Sequence, residues 1–286
     1  MNILVLGVTG MLGSAVFKYF SDHSSHQVFG TLRANAGRGH FPNVLAERLL
    51  SGVDVLDQDS LAKAFISAKP DVVINCVGLI KQLADAKNPL TALPINALLP
   101  HRLAALCEIA GARLVHISTD CVFSGEKGMY RESDVSDCTD LYGKSKYIGE
   151  LHDLPNAVTL RTSIIGHELG SSASLVDWFL SQQGQVKGFT KAVFSGLPTV
   201  ELARVILEHV IPDASLHGLY HVSVAPIDKY SLLKEIADVY GKDIEIVPDD
   251  QLVIDRSLDS SKFRETVGYV PTSWRELIGF MYSQRH

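Results

Sequence analysis

The chain has 286 residues, 46% of them hydrophobic, and a formal net charge of −6 at pH 7. That length allows one large α/β domain or two lobes, and the apolar content is ordinary for a packed core. A net negative chain has no general electrostatic draw toward nucleic acid or an anionic membrane, so an anionic ligand must be captured by local donors.

The first predicted element is the strand Ile3–Leu6. It runs into Gly7-Val8-Thr9-Gly10-Met11-Leu12-Gly13, three glycines spaced by three. Beyond it Met11, Leu12, Ala15, Val16, Tyr19 and Phe20 mark one face of a 3.6-residue period, which predicts an amphipathic helix. Glycine allows the tight turn, a close approach of backbone N–H groups to a pyrophosphate, and close packing of helix on strand. The helix N-terminus adds free donors and partial positive charge. Alone the glycine pattern is weak. Between a strand and a helix it predicts a dinucleotide site built from Gly7, Thr9, Gly10, Met11, Leu12 and Gly13.

The second strand, Gln27–Thr31, leads to Leu32-Arg33 with no acidic residue at its end. An acid there would hold a ribose 2′-hydroxyl, whereas an arginine accommodates a 2′-phosphate. Arg33, with Arg38 in the loop beyond, therefore predicts NADP(H); the other reading of both arginines is a solvated loop. Asp54-Val55 reads equally as an adenine-edge contact and as a strand end. The strands Val72–Asn75 and Leu114–Ile117 follow, separated by a helix from about Leu98 to Ala110 that stops at Gly111. Strands alternating with helices imply a parallel sheet with right-handed crossovers, the doubly wound Rossmann architecture.

The second half is less regular. It predicts strands at Val158–Leu160, Gly218–Val222 and Ile244–Val247, and helices at Ser174–Gln183, Thr199–His209 and Tyr230–Tyr240. The expected organisation is a cofactor domain over residues 1–165, with a segment of about 190–222 crossing back onto it. A smaller substrate-binding lobe takes about 166–190 and 223–286. No charged leader or cleavage site precedes the first strand, and no apolar run approaches the roughly 20 residues of a membrane helix. Cys76, Cys107, Cys121 and Cys138 show no metal or disulfide-scaffold spacing. The sequence thus predicts a cytoplasmic protein with no metal, nucleic-acid or membrane partner.

The chemistry-bearing stretch is Tyr142-Gly143-Lys144-Ser145-Lys146, with Ser118-Thr119-Asp120 upstream. Tyr142 and Lys146 are four apart and share a helix face. A nearby ammonium is expected to lower the phenol pKa, so that Tyr142 can give a proton to a carbonyl while hydride arrives from a nicotinamide. Lys146 would also hold the nicotinamide ribose. Ser118 and Thr119, at the carboxyl end of a strand, supply hydroxyls where ligands sit in such sheets.

These residues give the chain its resemblance to the extended short-chain dehydrogenase/reductases, and within them to the dTDP-4-dehydrorhamnose reductase branch. The matching stretches are the glycine turn, His116-Ile117-Ser118-Thr119-Asp120-Cys121-Val122-Phe123-Ser124-Gly125, Tyr130-Arg131-Glu132-Ser133-Asp134, Tyr142 to Lys146, and Gly149-Glu150. Leu160-Arg161-Thr162-Ser163 and Arg256-Ser257-Leu258-Asp259 match more loosely. The resemblance implies Thr119 as the catalytic hydroxyl, Tyr142 as proton donor and Lys146 as its partner. It implies Cys76, Val77, Gly78 and Ser118 along the cofactor path, and Asn96 as a residue that orders the site or merely caps and packs. Two departures stand out. Cys121 replaces the tyrosine of the common STDYVF motif, and Gly78-Leu79-Ile80-Lys81-Gln82 replaces an aromatic and acidic segment, so sugar or nucleotide can differ from the family's. Asp120 has no glutamate beside it, which disfavours the water elimination of related dehydratases.

For the substrate, Lys81, Gln82 and Cys121 lie near the strand ends. Trp178 is a stacking aromatic or a lobe-packing one. Arg256 is a diphosphate ligand or a surface arginine. His167 reads as a packing residue. The resemblance implies reduction of a nucleotide-linked 4-keto (deoxy)sugar by NADPH. The other readings are a nucleotide-sugar epimerase and a non-catalytic regulatory subunit like the beta subunit of methionine adenosyltransferase. A homodimer is left open.

Overall fold

Ile3, Leu4, Val5 and Leu6 are all fully buried, so the first strand has no solvent face. Ile3 and Val5 enter one apolar cluster and Leu4 and Leu6 the other, which is what alternation does to a strand covered on both faces. The computed structural model describes residues 1–79, 87–170 and 174–285. Its central sheet uses β1 (Asn2–Leu6), β2 (Gln27–Leu32), β3 (Leu49–Ser51), β4 (Val72–Asn75), β5 (Arg113–Thr119), β6 (Ala157–Thr162) and the edge strand Gly218–His221. All neighbours in it pair in parallel. The order, from Gly218–His221 through β6, β5, β4, β1 and β2 to β3, reverses direction of growth between β1 and β4. The carboxyl ends of those two strands therefore flank the crevice in which ligands of doubly wound sheets bind.

One face is covered by α1 (Met11–His23), which lays Val16, Phe17 and Phe20 on the sheet, and by the helix Thr199–Val205. The other is covered by Gln58–Ala68 and Leu99–Ala110, through Leu61, Phe65, Leu99 and Leu103. As expected, Leu99–Ala110 stops at Gly111 in the left-handed region, φ 67°. The strand β3 and the helix Gln58–Ala68 lie outside the elements read from the sequence. The helical stretch Pro89–Ala110 meets the length and composition of a membrane span, contrary to expectation. Its apolar length serves the core, where Leu99, Leu103 and Cys107 are fully buried. Beyond β6 the chain forms small sheets. The largest sets Ala192–Phe194 between Ile227–Asp228 and Ile254–Asp255.

A charged network lies under the carboxyl end of β5. Arg161 on β6 is 1% exposed and donates to Glu150 through Nε at 2.9 Å and Nη2 at 2.5 Å. Ser118 donates to the same carboxylate at 2.6 Å. Arg161 Nη1 meets His221 Nε2 at 2.8 Å, and His221 Nδ1 meets the Tyr130 carbonyl at 3.0 Å. A carbonyl only accepts, so Nδ1 carries the hydrogen and Nε2 accepts from the guanidinium. Burial, with the guanidinium beside it, pushes His221 down to about 3. The guanidinium also lies 4.9 Å from the Phe123 ring centre, and that ring stacks on Tyr130 at 4.1 Å.

The depressed histidine sets an acid limit. Above the ordinary histidine value of 6.5 the group is neutral in both states; between 6.5 and about 3 the unfolded chain takes up a proton that folded His221 refuses. Its share of stability is therefore complete above pH 6.5 and lost as pH falls, by at most about 1.4 kcal/mol per pH unit. His221→Asn keeps a donor for the Tyr130 carbonyl at the Nδ1 position and does not titrate. Urea unfolding between pH 8 and 5 should show a shallower acid-side loss for this variant; equal slopes would refute the assignment.

Candidate active site

The glycine turn is built for contact. Gly7 has φ 80°, a conformation side chains rarely adopt, and a Cβ there would stand 2.8 Å from Val77 of the β4 exit. A Cβ on Gly13 would collide with the Gly7 carbonyl, so α1 can pack this closely on β1 only through glycine. Gly10 is the N-cap of α1 and offers no side-chain cap, which leaves the first N–H groups of the helix for a ligand. A hollow of about 230 Å³ beside the turn is lined by Thr9, Gly10, Met11, His40, Glu168, Leu169 and Gly170. His40 and Glu168–Gly170 come to the turn from distant parts of the chain and carried no local signal. Leu12 is buried in the core beneath it.

Arg33 stands exposed just past β2. Arg38, by contrast, is bound to the protein itself: Nε donates to Ser51 at 2.8 Å, Nη1 to the Ala46 carbonyl at 2.6 Å, and Nη2 to that of Leu49. It shapes the loop between β2 and β3 and leaves Arg33 as the open cation there. Asp54 is exposed and accepts from the Leu56 N–H at 2.9 Å, while Val55 is buried in the second core cluster.

Thr119 ends β5 and starts the turn Asp120–Val122, where its hydroxyl accepts from the Cys121 N–H at 3.2 Å and donates to Asp120 at 3.2 Å. Tyr142 and Lys146 sit on the helix Leu141–Ile148, whose start is fixed by the Asp140 side chain accepting from the Gly143 N–H at 2.8 Å. That helix lies close because Gly143 carries no Cβ to strike the Cys121 carbonyl. The Thr119 side chain lies beside the Tyr142 phenol and draws its pKa downward. Lys146 is buried and donates to the Ile117 carbonyl at 2.7 Å. Burial lowers its pKa to about 8, opposed by Glu150 and Cys76. A Cβ on Gly78 would stand 3.9 Å from the Lys146 ammonium, so the β4 exit, with Cys76 and Val77, passes directly over it.

One expectation is corrected. Tyr142 is raised above its usual value, first by burial and then by Cys121, with Thr119 pulling the other way; Lys146 is not among the causes. The ammonium is turned to the strand carbonyl and does not offset desolvation of a phenolate. The phenol is held protonated.

Ser118 faces away from Thr119, as alternate strand residues must, and its hydroxyl belongs to the Glu150 network. Asn96 is 1% exposed and braces the β4 exit: its Oδ1 accepts from Leu79 N–H at 2.9 Å, and its Nδ2 donates to the Leu79 carbonyl and to Ser145, both at 3.2 Å. Arg256 reaches the turn beyond the carboxyl end of β5. Its Nε donates to the Phe123 carbonyl at 2.9 Å and its Nη1 lies 3.7 Å from the Cys121 sulfur. Burial pushes the Cys121 thiol up to about 12. Trp178, on Leu175–Ser181, is 38% exposed, and no contact among the described residues joins it to Thr119, Tyr142 or Lys146. His167 packs as expected, between Asp177 at 2.6 Å and the Tyr240 hydroxyl at 2.7 Å. Lys81 and Gln82 lie outside the described residues. Lys229, missed by the sequence reading, acts electrostatically on Asp120. Only the pairing of short strands far apart in sequence brings it there.

The architecture agrees with what the chain is similar to. It is 30% identical over 253 residues to methionine adenosyltransferase 2 subunit beta of Danio rerio, covering 84% of this chain and 74% of that one. It is 29% identical over 258 residues to a probable low-salt glycan biosynthesis reductase of Haloferax volcanii, covering 86% and 83%. A dTDP-4-dehydrorhamnose reductase structure from Clostridium acetobutylicum superposes with a TM-score of 0.80 at 25% identity, over 99% of both chains. The family model of the RmlD substrate binding domain matches residues 1–285, and the chain belongs to that family.

Proposed function

We propose that this chain is an NADPH-dependent reductase of a nucleotide-linked 4-keto sugar or deoxysugar, with Tyr142 as proton donor. The observation that carries the reading is the Tyr142 phenol, kept protonated by burial beside Thr119 at the carboxyl end of β5. The reductases to which the chain is similar support it.

The residues present fit a dinucleotide. Gly7 and Gly13 leave no room for side chains where backbone must approach, α1 presents uncapped N–H groups, and Arg33 stands open at the end of β2 with no acid beside it. Residues 1–165 would hold the cofactor, and about 166–190 and 223–286 the sugar nucleotide. The bound nicotinamide supplies the hydride. Thr119 holds the substrate carbonyl, and Tyr142 passes its proton to the same oxygen as negative charge develops on it. Lys146, cationic at neutral pH, binds the cofactor ribose. With no glutamate beside Asp120, no paired acid and base for elimination is present there.

A second reading is a binding subunit, favoured by similarity to a protein named as a subunit. Turnover separates the two. Tyr142→Phe should lower reduction of a nucleotide-linked 4-keto sugar by about 10²–10⁴-fold while NADPH affinity survives. Near-normal turnover in that variant would remove Tyr142 from the mechanism. A wild type that binds NADPH, reduces no member of a nucleotide-sugar panel and copurifies with a protein partner would favour the subunit reading.

Arg33 is tested separately. Calorimetry should find NADPH bound about 10–100-fold more tightly than NADH, with Arg33→Ala abolishing most of the difference, the scale of a charge-assisted contact. Equal affinities in the wild type would contradict the cofactor assignment.

A further inference from the structure

Two cations face the catalytic strand from the second half of the chain, and the reduction just described uses neither. In the small sheet, Asp228 and Asp255 both pair with Val193, from opposite sides. Lys229 opens the helix that follows one strand and Arg256 directly follows the other, so both leave the sheet beside Phe194. The contacts agree: the Lys229 ammonium lies 3.5 Å from the Phe194 ring centre, and Arg256 reaches Phe123 and Cys121. Both lie near the end of β5, where Asp120 is 5% exposed and feels both cations.

The charges there do not balance. Among the described residues, Asp120 is the one carboxylate that acts on Lys229. Among the described residues the Lys229 ammonium makes no hydrogen bond or ion pair, although it carries three donors. Burial lowers its pKa to about 8, so it remains cationic at neutral pH. An ammonium partly withdrawn from water and without a protein acceptor is open to one on a ligand. Arg256, itself half-buried, also carries donors beyond those given to Phe123 and Cys121.

We propose that Lys229 and Arg256 receive an oxyanion carried on the sugar ring itself, so that the substrate is a nucleotide-linked keto sugar with a carboxylate on the carbon next to the reacting carbonyl. This rests on the reductase reading. Position favours the ring over the diphosphate. The Arg256 guanidinium is 3.7 Å from the sulfur of Cys121, whose N–H bonds the Thr119 hydroxyl at 3.2 Å. A group beside the carbonyl held by Thr119 comes within reach, whereas the diphosphate leaves from the opposite side of the six-membered ring. Cys121 is short where the resembling reductases carry a tyrosine, which leaves space for the substituent.

The test is calorimetry on the full chain with NADP⁺ bound, using UDP-glucuronate, UDP-glucose and UDP, and the thymidine counterparts of all three. The wild type should prefer the acidic sugar to the neutral one by about tenfold or more with at least one base, the scale of a charge-assisted contact. Lys229→Met, which keeps the packing on Phe194, should abolish that preference and leave neutral-sugar and NADP⁺ affinities unchanged; Lys229→Arg should restore it. A wild type that binds both sugars equally, or a preference that survives Lys229→Met, overturns the proposal. If the nucleoside diphosphate alone loses as much affinity as the acidic sugar, the cations hold the diphosphate; the proposal fails and the reductase reading stands. If NADP⁺ binds but no nucleotide or nucleotide sugar does, the reductase reading falls and this inference with it.

Discussion

The buried pair of Glu150 and Arg161 is the constraint on which the rest of the site depends. It joins the exit of the Tyr142 helix to β6, takes the Ser118 hydroxyl of β5, and reaches through His221 to the edge strand and to Tyr130. Ser118 and Thr119 are neighbours on one strand with opposite faces, so fixing the first below the sheet end fixes the second above it. Breaking such a pair by removing one partner is strongly destabilising, because an uncompensated charge stays buried. The geometry of the Thr119 hydroxyl is thereby tied to the stability of the sheet.

Above this floor, burial decides the protonation states. It keeps the Tyr142 phenol loaded and brings Lys146 to about 8. Desolvation raises the acid and lowers the base together, so the phenol can deliver a proton and the lysine can still carry charge at neutral pH. The same burial acts on Asp120, whose carboxyl is raised by desolvation and drawn back by Arg256 and Lys229. The electrostatics of the cleft thus join the catalytic strand to the small sheet of the second half.

Local signals carried the parts of this structure that are local. The glycine turn, the apolar run of β1, the Gly111 stop and the four-residue spacing of Tyr142 and Lys146 each obey short-range geometry, and each was legible. The strand Leu49–Ser51 is too short to show a period. The helix Gln58–Ala68 does carry a legible pattern, with Leu61, Ala64, Phe65 and Ala68 on its buried face and Asp57 as its cap. Side-chain allegiances were not legible where long-range pairing sets them. Arg33 and Arg38 look alike in sequence, yet Arg38 is committed to three partners of its own loop. Ser118 and Thr119 look interchangeable, yet only one faces the cleft. Lys229 comes to act on Asp120 only because Ile227–Asp228 pairs with a strand more than thirty positions earlier.

The central claim is a net hydride transfer completed by Tyr142. The most direct measurement supplies NADPH deuterated at the transferring position of its nicotinamide together with a nucleotide-linked 4-keto sugar, and reads the product by mass spectrometry and NMR. The account predicts that each NADPH oxidised leaves its deuterium on the new carbinol carbon of the sugar. An unlabelled product formed with no net loss of NADPH would contradict it and point to epimerisation.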